Sequence, residues 1–183
     1  MTLSERVIEI HRALHRQEIP HAFGGAIALG FWIADPRGTD DVDVNIFVPA
    51  TECQPVLEAL PPGVTVTEDA AAIIARDGQT RLWWDRTPID LFFDNVPVHD
   101  DAARHRKTVQ FTEDEKIPVL GPIELAVFKA MFNRTRDWAD IEAMIAAETL
   151  DLDEVRRVLT TMVAEDDERF GRLDEAARRA RDS

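Results

Sequence analysis

Leu3, Val7, Ile10 and Leu14 recur at the three- and four-residue intervals that line one face of an α-helix, and Thr2 and Glu5 have capping-box spacing. An amphipathic helix is therefore expected from the start of the chain to about Arg16, its apolar stripe covering a sheet. Residues 19–23 read as a short strand, Gly24 and Gly25 as a tight turn, and 26–32 as a helix leaving that turn. After Pro36 and Gly38, the apolar Val42, Val44, Ile46 and Val48 alternate with Asp41, Asp43, Asn45 and Phe47, which is the period of a β-strand. One face of that strand is apolar and the other carries carboxylates. Residues 52–60 look helical until Pro61, Pro62 and Gly63 stop them, and 64–67 return to an extended pattern. Residues 81–84 and 89–93 form an expected antiparallel pair joined by 85–88.

From Pro122 onward the period is helical throughout: 123–132, 136–147, 152–164, and a charged segment at 165–181 that reads as a solvated, partner-binding or frayed helix. The expected fold class is α/β (α+β), a mixed β-sheet flanked by helices and followed by a small C-terminal helical part. Gly121 and Pro122 divide a core at 1–120 from a helical region at 121–183. A chain of 183 residues has room for one such core and a short appendage.

A net charge of -14 repels a phosphate backbone over most of the surface, which argues against a broad non-specific nucleic-acid binder. Two local basic clusters remain: Arg104 to Lys107, and Arg134 with Arg136. Cys53 is the only cysteine, so neither an internal disulfide nor a multi-cysteine zinc site can form. The longest apolar stretch is broken by paired glycines and too short to span a bilayer, and the first residues lack the form of a secretory signal. A cytoplasmic protein with no membrane partner is expected.

Asp41 and Asp43 stand at i and i+2 of a strand, on the same face, where like charges repel unless a cation lies between them. Hard oxygen ligands favour Mg²⁺ or Mn²⁺. An exposed edge strand with two acidic residues would look the same. Asp90 shifts that balance, since it interrupts an apolar strand, and a third carboxylate beside the first two allows two metals. Gly24 and Gly25 between strand and helix permit close approach of a phosphate, although a simple tight turn has the same sequence. No Walker lysine and no Rossmann glycine pattern is present. Trp83 and Trp84 point to opposite sides of their strand, one to the core and the other free to stack a base. His11, His15, His21, His99 and His105 show no metal-ligand spacing and receive no catalytic role.

Taken together, Phe23-Gly24-Gly25, a spacer, Asp41-Val42-Asp43-Val44 and the later Asp90 resemble the signature of the polymerase-β-like nucleotidyltransferases. The run Arg37-Gly38-Thr39-Asp40-Asp41-Val42-Asp43, preceded by Gly24 to Leu29, is similar to the AbiEii-type branch, which contains toxins of bacterial toxin–antitoxin pairs. Leu125 to Lys129, then Arg134, Arg136-Asp137 and Asp140-Ile141, resemble that branch's helical motif, so the likeness runs from about residue 20 to about residue 145. The resemblance implies metal ligation by Asp41, Asp43 and Asp90, with Asp90 also the general base. It implies nucleotide binding at Gly24, Gly25, Arg37, Thr39, Lys129 and Asp137, with Lys129 reaching the triphosphate. Gly25 stands where a small hydroxyl residue is common, and the spacer before Asp41 is longer than usual.

The implied reaction moves a nucleoside monophosphate from an NTP to an acceptor hydroxyl and releases pyrophosphate. The expected acceptor is an RNA such as the tRNA 3′ end, with the chain acting as a toxin and an antitoxin protein as its partner. A protein-nucleotidylating or aminoglycoside-modifying enzyme, or a non-catalytic relative that binds nucleotide or a partner, is the alternative.

Overall fold

The computed structural model describes residues 1–35 and 38–182. The helix α1 spans Leu3–Arg16 and its capping box is formed: the Thr2 amide donates to Glu5 Oε2 at 2.7 Å, and the Glu5 amide donates to Thr2 Oγ1 at 3.2 Å. Its stripe of Val7, Ile10, Ala13 and Leu14 is buried. The strand β1 (His21–Phe23) leads through Gly24 into the short helix α2 (Gly25–Leu29), and β2 runs over Val42–Pro49. A 3₁₀ turn and α3 (Gln54–Ala59) precede β3 (Val64–Thr65), α4 (Ala70–Asp77), β4 (Gln79–Trp84) and β5 (Thr87–Asp94). Next come α5 (Val98–His105), β6 (Lys107–Gln110) and β7 (Lys116–Val119). The remaining described elements are helical: α6 (Pro122–Phe132), α7 (Thr135–Ala146), α8 (Leu152–Leu159) and α9 (Glu168–Asp182).

Among the described residues the strands form one seven-stranded mixed sheet in the order β3-β4-β5-β2-β1-β7-β6. The expected class, a mixed sheet flanked by helices with a helical C-terminal part, is the one observed. At the centre, β2 pairs parallel with β5 and antiparallel with β1. Strand alternation sends Val42, Val44, Ile46, Ile89, Leu91 and Phe93 into a core that is fully closed to solvent. On that side Arg6 of α1 donates to the Thr87 hydroxyl at 2.8 Å and to Asp85 at 2.7 Å, and lies 5.9 Å from the Trp84 ring. The other face, bearing Asp43, Asn45, Asp90 and Phe92, is left for chemistry.

The β4–β5 hairpin is tighter than its sequence suggests. Trp84 pairs with Thr87, so the connection is the two residues Asp85 and Arg86, with Asp85 at φ 54, and not the four residues 85–88. Pro88 had the look of a loop residue. It lies one position ahead of Ile89, the first β5 residue to meet β2, where a missing N–H costs little.

α6 is apolar on most sides and is buried accordingly, including its polar Glu124 and Lys129. Each of those has a partner: His105 Nδ1 lies 2.7 Å from Glu124, and Lys129 Nζ donates to Asp140 at 2.6 Å. The charged last segment is a docked helix. It buries Phe170, Leu173, Ala176 and Ala177, and Arg172 donates to Asn133 Oδ1 at 2.6 Å while lying 4.9 Å from the Trp138 ring. No described helix is long and apolar enough to cross a membrane.

Candidate functional site

Because β2 and β5 run parallel in register, Asp43 lies directly beside Asp90, and Asp41 stands two residues earlier on the Asp43 face. Carboxylate oxygens of Asp41, Asp43 and Asp90 all lie within 4.8 Å of one another, the one such cluster among the described residues. Three like charges this close need compensation. Burial first, and then the charges of Asp41 and Asp90, push Asp43 up to about 6, a rise that Lys129 and Arg134 oppose. Three oxygen donors so placed fit a hard divalent cation, which would supply the missing charge.

The pairing that sequence spacing did not reveal is Arg81 with Asp90. The two are cross-strand partners in the hairpin, and Arg81 forms a fork onto the carboxylate, Nε to Oδ1 at 2.7 Å and Nη2 to Oδ2 at 2.6 Å. A four-residue turn would have set Arg81 out of register with Asp90. Arg81 is half exposed and Asp90 is not, so the guanidinium covers the carboxylate from the solvent side.

The trio opens into a cavity of about 550 Å³ between the sheet and the helices α4 to α7. Gly25 lines it at φ 50, and a Cβ there would fall 1.6 Å from Asp43 Oδ2. Glycine is thus required at position 25 on two counts, conformation and space, which is why no hydroxyl residue stands there. Gly24 is buried behind it, its amide donating to the Asp43 carbonyl at 2.9 Å. A Cβ on Gly24 would meet Asn45 Nδ2 at 2.7 Å. Asn45 is buried and lines the cavity; its only sequence signal was its place on the carboxylate face.

The remaining expected site residues divide. Thr39 hydrogen-bonds through its hydroxyl to Asp41, and so holds a carboxylate of the trio. Arg37 lies outside the described residues. Lys129 lines the cavity, but only 6% of its side chain is exposed and its ammonium is bound to Asp140. Asp137 also lines it and is held by Arg134, with Nε to Oδ2 at 2.7 Å and the Arg134 amide to Oδ2 at 3.1 Å. Arg134 and Arg136 stand at the cavity wall, Arg134 4.9 Å from the Phe132 ring. In the cluster at Arg104 two of the arginines are spent on their own surroundings: Arg104 pairs with Asp101, and Arg106 bonds the Ala103 carbonyl and lies 5.9 Å from the Phe47 ring. Trp83 is 45% exposed on the Arg81 face, and Trp84 is in the core.

The sequence matches no known family and no curated protein. Solved structures do share the fold. An antigenic nucleotidyltransferase-like protein from Paracoccidioides brasiliensis is 17% identical over 92% of this chain and 91% of its own, with a TM-score of 0.50. The structure of ANT(2″)-Ia in complex with adenylyl-2″-tobramycin is 13% identical over 100% of this chain and 98% of its own, with a TM-score of 0.51. JHP933 from Helicobacter pylori is 14% identical over 97% and 88%, with a TM-score of 0.50. At such identities it is the architecture that is common, and this chain has a nucleotidyltransferase-like fold.

Proposed function

We propose that the chain is a metal-dependent nucleotidyltransferase that moves a nucleoside monophosphate from an NTP to an acceptor hydroxyl. The observation that carries this reading is the convergence of Asp41, Asp43 and Asp90 at one end of a large cavity in a fold of this type. Asp41 and Asp43 would hold the cations, with Thr39 fixing Asp41. Bound there, Mg²⁺ or Mn²⁺ neutralises phosphate charge and acidifies an acceptor hydroxyl. Asp90 accepts the proton of that hydroxyl once Arg81 releases one of its oxygens, and Arg81, freed, is placed to meet the phosphate. Gly25 presents backbone without a side chain where the phosphates must pass Asp43. Arg134 and Arg136 add positive charge at the cavity wall.

For the acceptor, the AbiEii-like motif and these two arginines favour RNA, with the chain acting as the toxin of a toxin–antitoxin pair. A second reading, an aminoglycoside acceptor, is favoured by the likeness to ANT(2″)-Ia, whose structure holds adenylyl-2″-tobramycin, and by a net charge of -14 that attracts a polycation. The test incubates the purified protein and Asp90→Asn with each labelled NTP, Mg²⁺, and either total cell RNA, total protein or tobramycin. Label is expected on RNA with the parent, and at least roughly a hundredfold less with Asp90→Asn, which still binds NTP. Transfer to tobramycin alone selects the second reading. No transfer to any acceptor, or equal transfer by Asp90→Asn, overturns the proposed chemistry.

A further inference from the structure

The cavity does not end at the carboxylates. It continues past Phe92 to a recess beneath the first turn of α5, a region that the reaction scheme leaves without a role. Its walls are aromatic and aliphatic, with Phe92 and Phe132 in edge-to-face contact at 5.8 Å between centroids, and Ile73 and Phe128 beside them. At its end sits His99, 4% exposed, with its ring 5.0 Å from that of Phe128. Among the described residues neither nitrogen of His99 makes a well-formed hydrogen bond; the Val96 backbone is the one acceptor near enough to act on the ring, and it does so weakly. An imidazole withdrawn from water with its hydrogen-bonding capacity largely unmet costs folding stability and calls for an explanation.

Burial lowers the basicity of His99, so the ring is neutral and offers one donor and one acceptor. Asn95, also on the cavity wall, adds an amide. It packs over Gly78, where a Cβ would fall 1.8 Å from Asn95 Nδ2. An apolar slot with aromatic faces and a few convergent hydrogen-bonding groups suits a planar heterocycle. It suits a polycation poorly, because the carboxylate on this part of the wall, Asp77, is already paired with Arg76.

We propose that the recess lined by Phe92, Phe128, Asn95 and His99 is a nucleobase-recognition site, in which the base stacks on the aromatic wall and hydrogen-bonds to His99. The proposal rests on the nucleotidyltransferase reading and deepens it. The base is either that of the NTP or the terminal base of an RNA acceptor, since both reach the cavity beside the carboxylates.

The experiment measures equilibrium binding, with Mg²⁺ present, of the four NTPs, four dinucleotides differing in their 3′ base, and inorganic tripolyphosphate. The proteins are the parent, His99→Leu and Phe128→Leu. The parent is expected to prefer one base, in the NTP set if the recess takes the donor and in the dinucleotide set if it takes the acceptor. His99→Leu should bind that ligand about tenfold more weakly and lose the preference, the effect of one lost hydrogen bond in a dry site. Its melting temperature should equal or exceed the parent's, because an apolar side chain replaces a largely unsatisfied polar one. Phe128→Leu should weaken every base-bearing ligand and leave tripolyphosphate unchanged, which keeps the comparison open if His99→Leu fails to fold. A parent that binds tripolyphosphate without base preference, or variants that keep its preference and affinity, overturn the recess and leave the transferase reading standing. A parent that binds neither NTP nor tripolyphosphate overturns both.

Discussion

Cation binding at the carboxylate trio should release a proton at mildly acidic pH, because Asp43 is held up to about 6 by burial and by its neighbours Asp41 and Asp90. Metal needs the carboxylate form. With a pKa near 6, roughly nine Asp43 side chains in ten are protonated at pH 5 and only a few in a hundred at pH 7.5, so Mg²⁺ or Mn²⁺ affinity should fall about tenfold between those values. An aspartate at its ordinary value would lose almost nothing over that range. Calorimetry in two buffers of different ionisation enthalpy counts the protons directly. Close to one should leave per trio at pH 5 and close to none at pH 7.5. Asp43→Asn should bind metal weakly at both values, with no proton released. An affinity that stays flat from pH 7.5 to 5 in the parent, without proton release, would refute the repulsion argument on which the site rests.

Lys129→Ala should lower stability by about 3 kcal/mol in chemical denaturation, since Asp140 loses its buried ammonium; an unchanged midpoint with weakened NTP binding would return the lysine to the phosphates. Gly25→Ala places a methyl group on Asp43 and strains a left-handed residue, so stability should drop by roughly 1–2 kcal/mol and metal-dependent nucleotide binding should disappear by calorimetry. Binding retained in that variant would mean that Asp43 can move. His21 is buried with its Nδ1 2.8 Å from the Ile19 carbonyl, so its Nε2 accepts from His11 Nδ1 at 3.0 Å, and burial lowers it to about 4. The unfolded chain takes up the proton near pH 6.5 while the folded chain resists until about 4. The parent should therefore lose on the order of 3 kcal/mol relative to His21→Asn as pH falls through that window, measured by urea midpoints. Parallel pH profiles for the two proteins would show that His21 is not the titrating group.

What could be read from sequence was whatever local periodicity dictates. Alternation in residues 42–48 gave β2 its two faces, and a charge among apolar neighbours singled out Asp90, which β5 does bring beside Asp43. The opening helix was marked by its stripe and cap together. Features set by long-range pairing stayed hidden. Moving the hairpin turn from four residues to two puts Arg81 opposite Asp90, and Pro88 obscured that register. Helices α4 and α5 are short, and α4 announces itself chiefly at its end, where Gly78 adopts φ 70 as a left-handed cap. His99 had no visible signal at all. Its interest lies in hydrogen-bonding capacity left largely unmet at a cavity wall, and no local pattern encodes that.

Net charge misdirects the same way when it is read without placement. A total of -14 argues against polyphosphate ligands, yet cations are concentrated around the trio. Three of them are balanced in place: Arg81 by Asp90, Lys129 by Asp140 and Arg134 by Asp137. Arg136, exposed on the same wall, adds a charge that no acidic side chain among the described residues pairs with. In the other basic cluster Arg104, His105 and Arg106 are tied up by Asp101, Glu124 and the Ala103 carbonyl, Lys107 is exposed, and none of the four lines the cavity. A nucleotide approaching this chain meets repulsion at long range, which salt screens within about 8–10 Å, and attraction only inside the cleft. Raising ionic strength should therefore weaken NTP binding less than it weakens binding to an evenly basic surface. Mg²⁺, which both lowers the ligand's charge and fills the trio, should matter more than salt.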